Sequence, residues 1–441
     1  MRSSLLASLA LATVASALGC KNADSTPRPA PLPVAAPSAS AAVRTDPRRA
    51  LALADPGGNN PVDLLITAYE KKVKADDANI DAWVLLGRAW IRKARETLDP
   101  GFYTDADACA DIVLSNDPMN RLARGLKAQV ALNQHDFAKA KDIGEEILTQ
   151  DDGDLVALGV QSDALLELGR YDESTTAAQR MIDMKPNLAS YVRGSYLRWV
   201  RGDVAGAKSA AKMAMGSGID PRDPEPLAWA TVQAAYIFWN EGDYAGADAG
   251  FDRALTGFSD YPPALVGKGR VALAMGNAKK AAELLAKANF ASPLVDTAWY
   301  LGDARAAAGD EAGAKEAYDL VRKRGRTSDK RTLALFLATK GESPEEAVKL
   351  AEEEHRHRGD IYTDDALAWA LYRAKRLPEA KAAIDRATRL GTPDPMLMFH
   401  KGAIRLAMGE KQEGQKLIRA ALKLSPKFDP SSVELAAELL K

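Results

Sequence analysis

Glu241-Gly242-Asp243-Tyr244-Ala245-Gly246-Ala247-Asp248-Ala249-Gly250-Phe251-Asp252-Arg253-Ala254 reads as a helix end, a tight turn and a new helix. Gly242 marks the turn. The same arrangement recurs in both directions along the chain. Turns fall at His135, Gly169, Gly202, Gly242, Gly276, Gly309, Gly341, Lys375 and Gly409, at intervals of 34, 33, 40, 34, 33, 32, 34 and 34 residues. A fixed interval near 34 predicts helical hairpins stacked in series, each burying its apolar face against its neighbours.

Residues beside the turns repeat as well. Seven positions before them stand Ala128, Ser162, Ser195, Ala235, Gly269, Gly302, Ala334, Ala368 and Gly402, all small. Five positions after come Ala140, Ser174, Ala207, Ala247, Ala281, Ala314, Glu346, Ala380 and Gly414. The one large residue, Glu346, has Ala347 next to it, as a one-residue slip would give. Antiparallel helices approach closely only where both carry small side chains at the crossing, so the pairing has a packing cause.

Trp83, Leu86, Gly87 and Trp90 form a W-x2-L-G-x2-aromatic pattern. Gly242-Asp243-Tyr244 through Ala247 to Phe251 and Ala254, and Gly309-Asp310 through Ala314 to Tyr318, follow the same scheme. Helix-ending prolines stand at Pro118, Pro186, Pro293 and Pro426. On these residues the chain resembles the tetratricopeptide repeat (TPR) family. The resemblance implies an all-α, right-handed superhelical solenoid of about ten TPR-like helical hairpins over residues 62–441. Two places depart from the pattern. About seven extra residues surround Asp99-Pro100-Gly101, and about six lie in the Gly216 to Pro226 loop.

The N-terminus reads as an address. Arg2 precedes an apolar run from Leu5 to Leu18, too short for a permanent membrane span of about 20 residues. The run closes on Ala17-Leu18-Gly19-Cys20, which resembles a bacterial lipobox. Residues 1–19 are therefore expected to be a lipoprotein signal peptide, with Cys20 lipidated. Residues 20–61, rich in Pro and Ala, are expected to be a disordered linker. Lys21 after the cysteine implies an outer-membrane lipoprotein facing the periplasm. With Cys20 acylated, Cys109 is left without a disulfide partner and is expected to be buried in the first repeat.

Charge is balanced, with 59 Lys and Arg against 60 Asp and Glu, and no basic stripe points to nucleic acid. None of the four histidines sits in H-E-x-x-H, and His355 and His357 point about 200° apart on a helix. Neither G-x4-G-K-[ST] nor G-x-S-x-G occurs. No catalytic residue, metal ligand or cofactor is expected.

In TPR arrays the first helix of each repeat lines the concave groove. Its exposed face falls three, six, ten and thirteen residues before the turn. Those offsets select Tyr196, Trp199, Trp229, Tyr236, Trp239, Trp299, Trp369 and Tyr372, so five of the seven tryptophans fall on predicted groove positions. Aromatic-lined concavities anchor peptides, helices or sugars. The expected function is a lipid-anchored scaffold holding one or more envelope proteins in its groove, as in pilus, secretion or cell-wall assembly. The alternative is carbohydrate binding in polysaccharide export.

Overall fold

The computed structural model describes residues 46–218 and 220–441; the expected signal peptide, the expected lipidation site Cys20 and residues 21–45 of the expected linker lie outside the described residues. Described residues begin with α1 (Pro47–Ala52) and α2 (Pro61–Ala75). Ten hairpins come next: α3 (Ile80–Thr97) with α4 (Phe102–Asn116), α5 (Arg121–Asn133) with α6 (Phe137–Gln150), α7 (Leu155–Glu167) with α8 (Tyr171–Met184), α9 (Leu188–Val200) with α10 (Val204–Gly216), and α11 (Glu225–Asn240) with α12 (Tyr244–Gly257). The series continues with α13 (Pro262–Ala274) and α14 (Ala278–Ala291), α15 (Val295–Ala307) and α16 (Glu311–Ser328), α17 (Lys330–Lys340) and α18 (Pro344–His355), α19 (Ile361–Arg373) and α20 (Leu377–Ala387), and α21 (Pro395–Ala407) and α22 (Lys411–Leu424). Helix α23 (Pro430–Leu439) closes the chain. Among the described residues there is no strand, and no helix is long and apolar enough to cross a membrane.

At its described end the expectation of a disordered linker over residues 20–61 is corrected: α1 is folded onto the first hairpin. Ala52 is fully buried, and its carbonyl accepts from Trp90 Nε1 at 3.1 Å. A turn of helix that buries Ala52 and accepts from an indole N–H gains enough to be ordered.

All nine predicted turn residues have left-handed backbone, with φ from 62° at Lys375 to 86° at Gly409. The small residues meet as the spacing requires. Ser174 Oγ donates to the carbonyl of Ser162 at 2.7 Å, and Ser195 Oγ to that of Ala207 at 2.8 Å. A Cβ on Gly402 would lie 2.9 Å from the carbonyl oxygen of Gly414. The slip at the seventh turn is real: Ala347, not Glu346, is the fully buried residue. In the first repeat Trp83, Leu86 and Trp90 are core, and a Cβ on Gly87 would come within 3.2 Å of buried Cys109.

At Lys375 the left-handed backbone carries an exposed side chain with no ion pair among the described residues. A Cβ costs about 1 kcal/mol in that conformation, while glycine adopts it freely. Lys375→Gly is therefore expected to stabilise the chain by about that amount, read as a higher thermal midpoint.

Between the hairpins the superhelix closes on itself. The third hairpin's turn meets the loop between the eighth and ninth: Gly359 N donates to the carbonyl of Glu167 at 2.9 Å, and Ile361 N to Tyr171 Oη at 2.9 Å. One repeat on, Thr392 Oγ1 donates to the carbonyl of Val200. One further on, Lys427 N donates to Tyr244 Oη at 2.8 Å. This seam is close. A Cβ on Gly169 would lie 2.2 Å from the carbonyl oxygen of Gly359, and one on Gly242 2.7 Å from that of Leu424.

Buried charge pins the same seam. Arg358, on the later turn, donates from Nε to Glu167 Oε2 at 3.1 Å and lies 3.6 Å from Asp360, all three being at most 5 % exposed. Burial pushes the Glu167 carboxyl above its ordinary range, and Arg358 draws it part of the way back. His135 is held neutral by burial and by the cations Arg358 and Arg331.

Candidate functional site

Closure of the superhelix decides what remains open. From the fourth hairpin onward the inner helices pack against one another and against the next superhelical turn. The aromatics expected to line a groove are consumed in that packing. Tyr196 is 7 % exposed, and Trp199, Tyr236, Trp239, Trp299 and Trp369 are at most 2 %. Trp199 stacks on Tyr362 across the seam with centroids 6.5 Å apart, Trp299 meets Phe336 edge-on at 5.1 Å, and Trp369 stacks on His400 at 4.0 Å. Tyr236 packs on Phe251 within its own hairpin at 5.1 Å. The groove reading is thus corrected for these six: their ring faces are offered to no ligand. Of the eight, Trp229 and Tyr372 alone are partly exposed, and Tyr372 lies against Trp369 at 4.9 Å.

Trp229 is the predicted residue that reaches an open cavity. This cavity measures about 610 Å³ and lies on the concave face of the N-terminal hairpins. Its walls are α2, α3, α5, α7 and α9, and its far side is the start of α11 with the residues before it. Aliphatic side chains dominate: Leu65 from α2, Leu85 from α3, Leu132 from α5, Val156 and Val160 from α7, and Val192 from α9. Tyr69 and Trp229 add the aromatic surface.

The charged groups of the cavity were not singled out from the sequence. Helix α3 turns Trp83, Leu86 and Trp90 into the core, so its opposite face, Leu85, Arg88, Arg92 and Arg95, looks into the cavity. Arg92 Nε bonds Glu96 Oε1 at 2.6 Å and lies 3.5 Å from Asp223 Oδ1. Arg95 lies 3.5 Å from Asp223 Oδ2 and 3.6 Å from Glu225 Oε2. Glu225 is fixed in turn by Tyr261, whose hydroxyl donates to it at 2.8 Å. Residues 220–226, part of the insertion noted in the sequence, therefore reach across to α3.

On the facing wall Arg193 makes a two-pronged pair with buried Asp163, at 2.8 Å and 2.5 Å. Gly159 leaves room for it, since a Cβ there would stand 3.2 Å from the guanidinium carbon. Burial raises the Asp163 carboxyl and Arg193 opposes that shift. Arg88 differs from the other three. It is exposed, lines the cavity, and has no ion-pair partner among the described residues. The arrangement can hold an apolar chain and place one unpaired cation against it. Among the described residues that line it, no nucleophile and base are in contact.

A tetratricopeptide-repeat family model matches residues 91–154 and 366–430, one stretch at each end of the hairpin series. In these two stretches the chain carries tetratricopeptide repeats. Solved structures with similar architecture include PilW, a widely conserved type IV pilus biogenesis factor, at 18 % identity and a TM-score of 0.41, covering 50 % of this chain and 99 % of PilW. The human IFIT1 dimer with PPP-AAAA is 13 % identical over 87 % of this chain and 96 % of that one, with a TM-score of 0.48. A repeat protein from Parabacteroides merdae is 18 % identical over 57 % of this chain and 97 % of that one, with a TM-score of 0.33. No curated protein matches the sequence.

Proposed function

We infer that this repeat protein is a non-enzymatic scaffold, held at the cell envelope by a lipid on Cys20, that receives a segment of an envelope protein in its N-terminal cavity. The observation that carries the reading is the cavity itself: a substantial length of inner wall that the superhelix leaves unfilled. Its aliphatic walls suit peptide side chains, and its size suits a short run of residues. A sugar site would call for stacked aromatic faces, and six of the eight expected here are buried. The chain enters the described structure beside the outer helix α4, where Arg48 Nη1 donates to the carbonyl of Asp111 at 3.4 Å. A lipid tether joined there leaves the concave side free for a partner.

The test places a photo-crosslinking side chain at Val156, on the cavity wall and 39 % exposed. A discrete adduct with an envelope protein is expected, weakened about tenfold by Trp229→Ala at unchanged helicity. Adducts formed from the outer-surface position Phe290, which is 92 % exposed, but not from Val156 would move the binding surface to the convex side. Cys20→Ser should release the protein from the membrane fraction; retention there would end the lipid reading.

A further inference from the structure

Four arginines line the cavity, and three already have carboxylates supplied by the chain. The quality of those pairs differs. Arg193 and Asp163 make two short bonds to a carboxylate that is 1 % exposed. Asp223 instead stands 3.5 Å from both Arg92 Nε and Arg95 Nη2, longer than a charge-assisted bond, and its side chain is 25 % exposed. It belongs to the stretch before α11, not to a neighbouring inner helix. Arg88, one helical turn before Arg92, has no carboxylate paired with it among the described residues.

So α3 presents Arg88, Arg92 and Arg95 along one face, at helical spacing. The chain answers that row with Glu96 on Arg92, with one loosely placed aspartate and with the more firmly held Glu225. The neighbouring wall is aliphatic. Resting on the peptide-binding reading above, we propose that the cavity selects an acidic segment flanked by apolar residues. One carboxylate of the segment pairs with Arg88, and a second displaces Asp223 from Arg92 and Arg95. Asp223 is the built-in stand-in for that second carboxylate, and residues 220–223 form a self-occupying strap.

Two fluorescein-labelled octapeptides test this on the full chain by anisotropy: one of alanines and leucines with two aspartates, and its twin with asparagines in their place. The acidic peptide is expected to bind about tenfold tighter than the twin, and added salt should erase the difference. Arg88→Ala, at an exposed position where folding is not at stake, should remove most of that preference. Asp223→Asn should strengthen acidic-peptide binding about threefold, because the peptide no longer competes with a carboxylate. A merely structural Asp223 would lower the thermal midpoint without strengthening binding. Equal binding of both peptides overturns the acidic selection while leaving the cavity a peptide site. Binding of neither removes both readings. Weaker acidic-peptide binding by Asp223→Asn at an unchanged thermal midpoint overturns the strap.

Discussion

Gly169→Ala should destabilise this protein by about 3 kcal/mol or more, while Gly276→Ala costs about 1 kcal/mol. Both glycines end the first helix of a hairpin with left-handed backbone, φ being 75° and 82°. A Cβ carries the conformational cost at either site. Their surroundings differ. At Gly276 nothing stands within 4 Å of the added carbon, whereas at Gly169 it would lie 2.2 Å from a backbone oxygen of Gly359. A backbone carbonyl has no rotamer to move into, so the two superhelical turns must separate. The difference between the variants thus isolates the seam from the turn. Thermal midpoints measure it, and equal midpoints would mean that the two turns do not touch in solution.

Arg358→Ala is expected to cost about 3 to 5 kcal/mol, the usual penalty for stranding a buried charge. The guanidinium it removes serves Glu167 across the seam and Glu354 and Asp360 beside it, and lies 5.1 Å from the Phe137 ring centre. Glu167 would keep its place at 1 % exposure without a cation in contact. The remedy is informative. Arg358→Met combined with Glu167→Leu removes both charges and should recover most of the loss, since an apolar pair of similar size is often as stable as a buried ion pair. Chemical denaturation of the single and double variants checks the sign. A double variant as unstable as Arg358→Ala would show that Arg358 acts mainly through Asp360 and Glu354.

Much of this architecture was legible in the sequence, because it is local. Turn glycines, the small pairs seven before and five after, and Trp83-Leu86-Gly87-Trp90 each report on one hairpin, and each holds in the structure. The fate of the inner wall was not read correctly, because it depends on how tightly the hairpins wind, a sum of small rotations over five or six repeats. Signals for that winding were nonetheless present. Helices such as α17 and α19 carry apolar or small residues nearly all round, the mark of a helix buried on every side rather than of a groove wall.

A second signal lies two residues after each turn. The turns that meet the seam carry Phe137, Tyr171, Val204 and Tyr244, whereas the later turns carry Ala278, Glu311, Ser343, Leu377 and Lys411. Four of those five are small or charged, which suits a free rim. The cavity arginines were legible too, as Arg88, Arg92 and Arg95 on the face of α3 opposite its tryptophans. The groove offsets run from the turns and miss them, because the first repeat's extra residues displace its turn.

The most direct test of the closed superhelix is hydroxyl-radical footprinting of the tryptophans, read by mass spectrometry on the folded full chain. Closure predicts that Trp229 is oxidised readily while Trp199, Trp239, Trp299 and Trp369 are protected. An open aromatic groove, with those four oxidised as fast as Trp229, would contradict it.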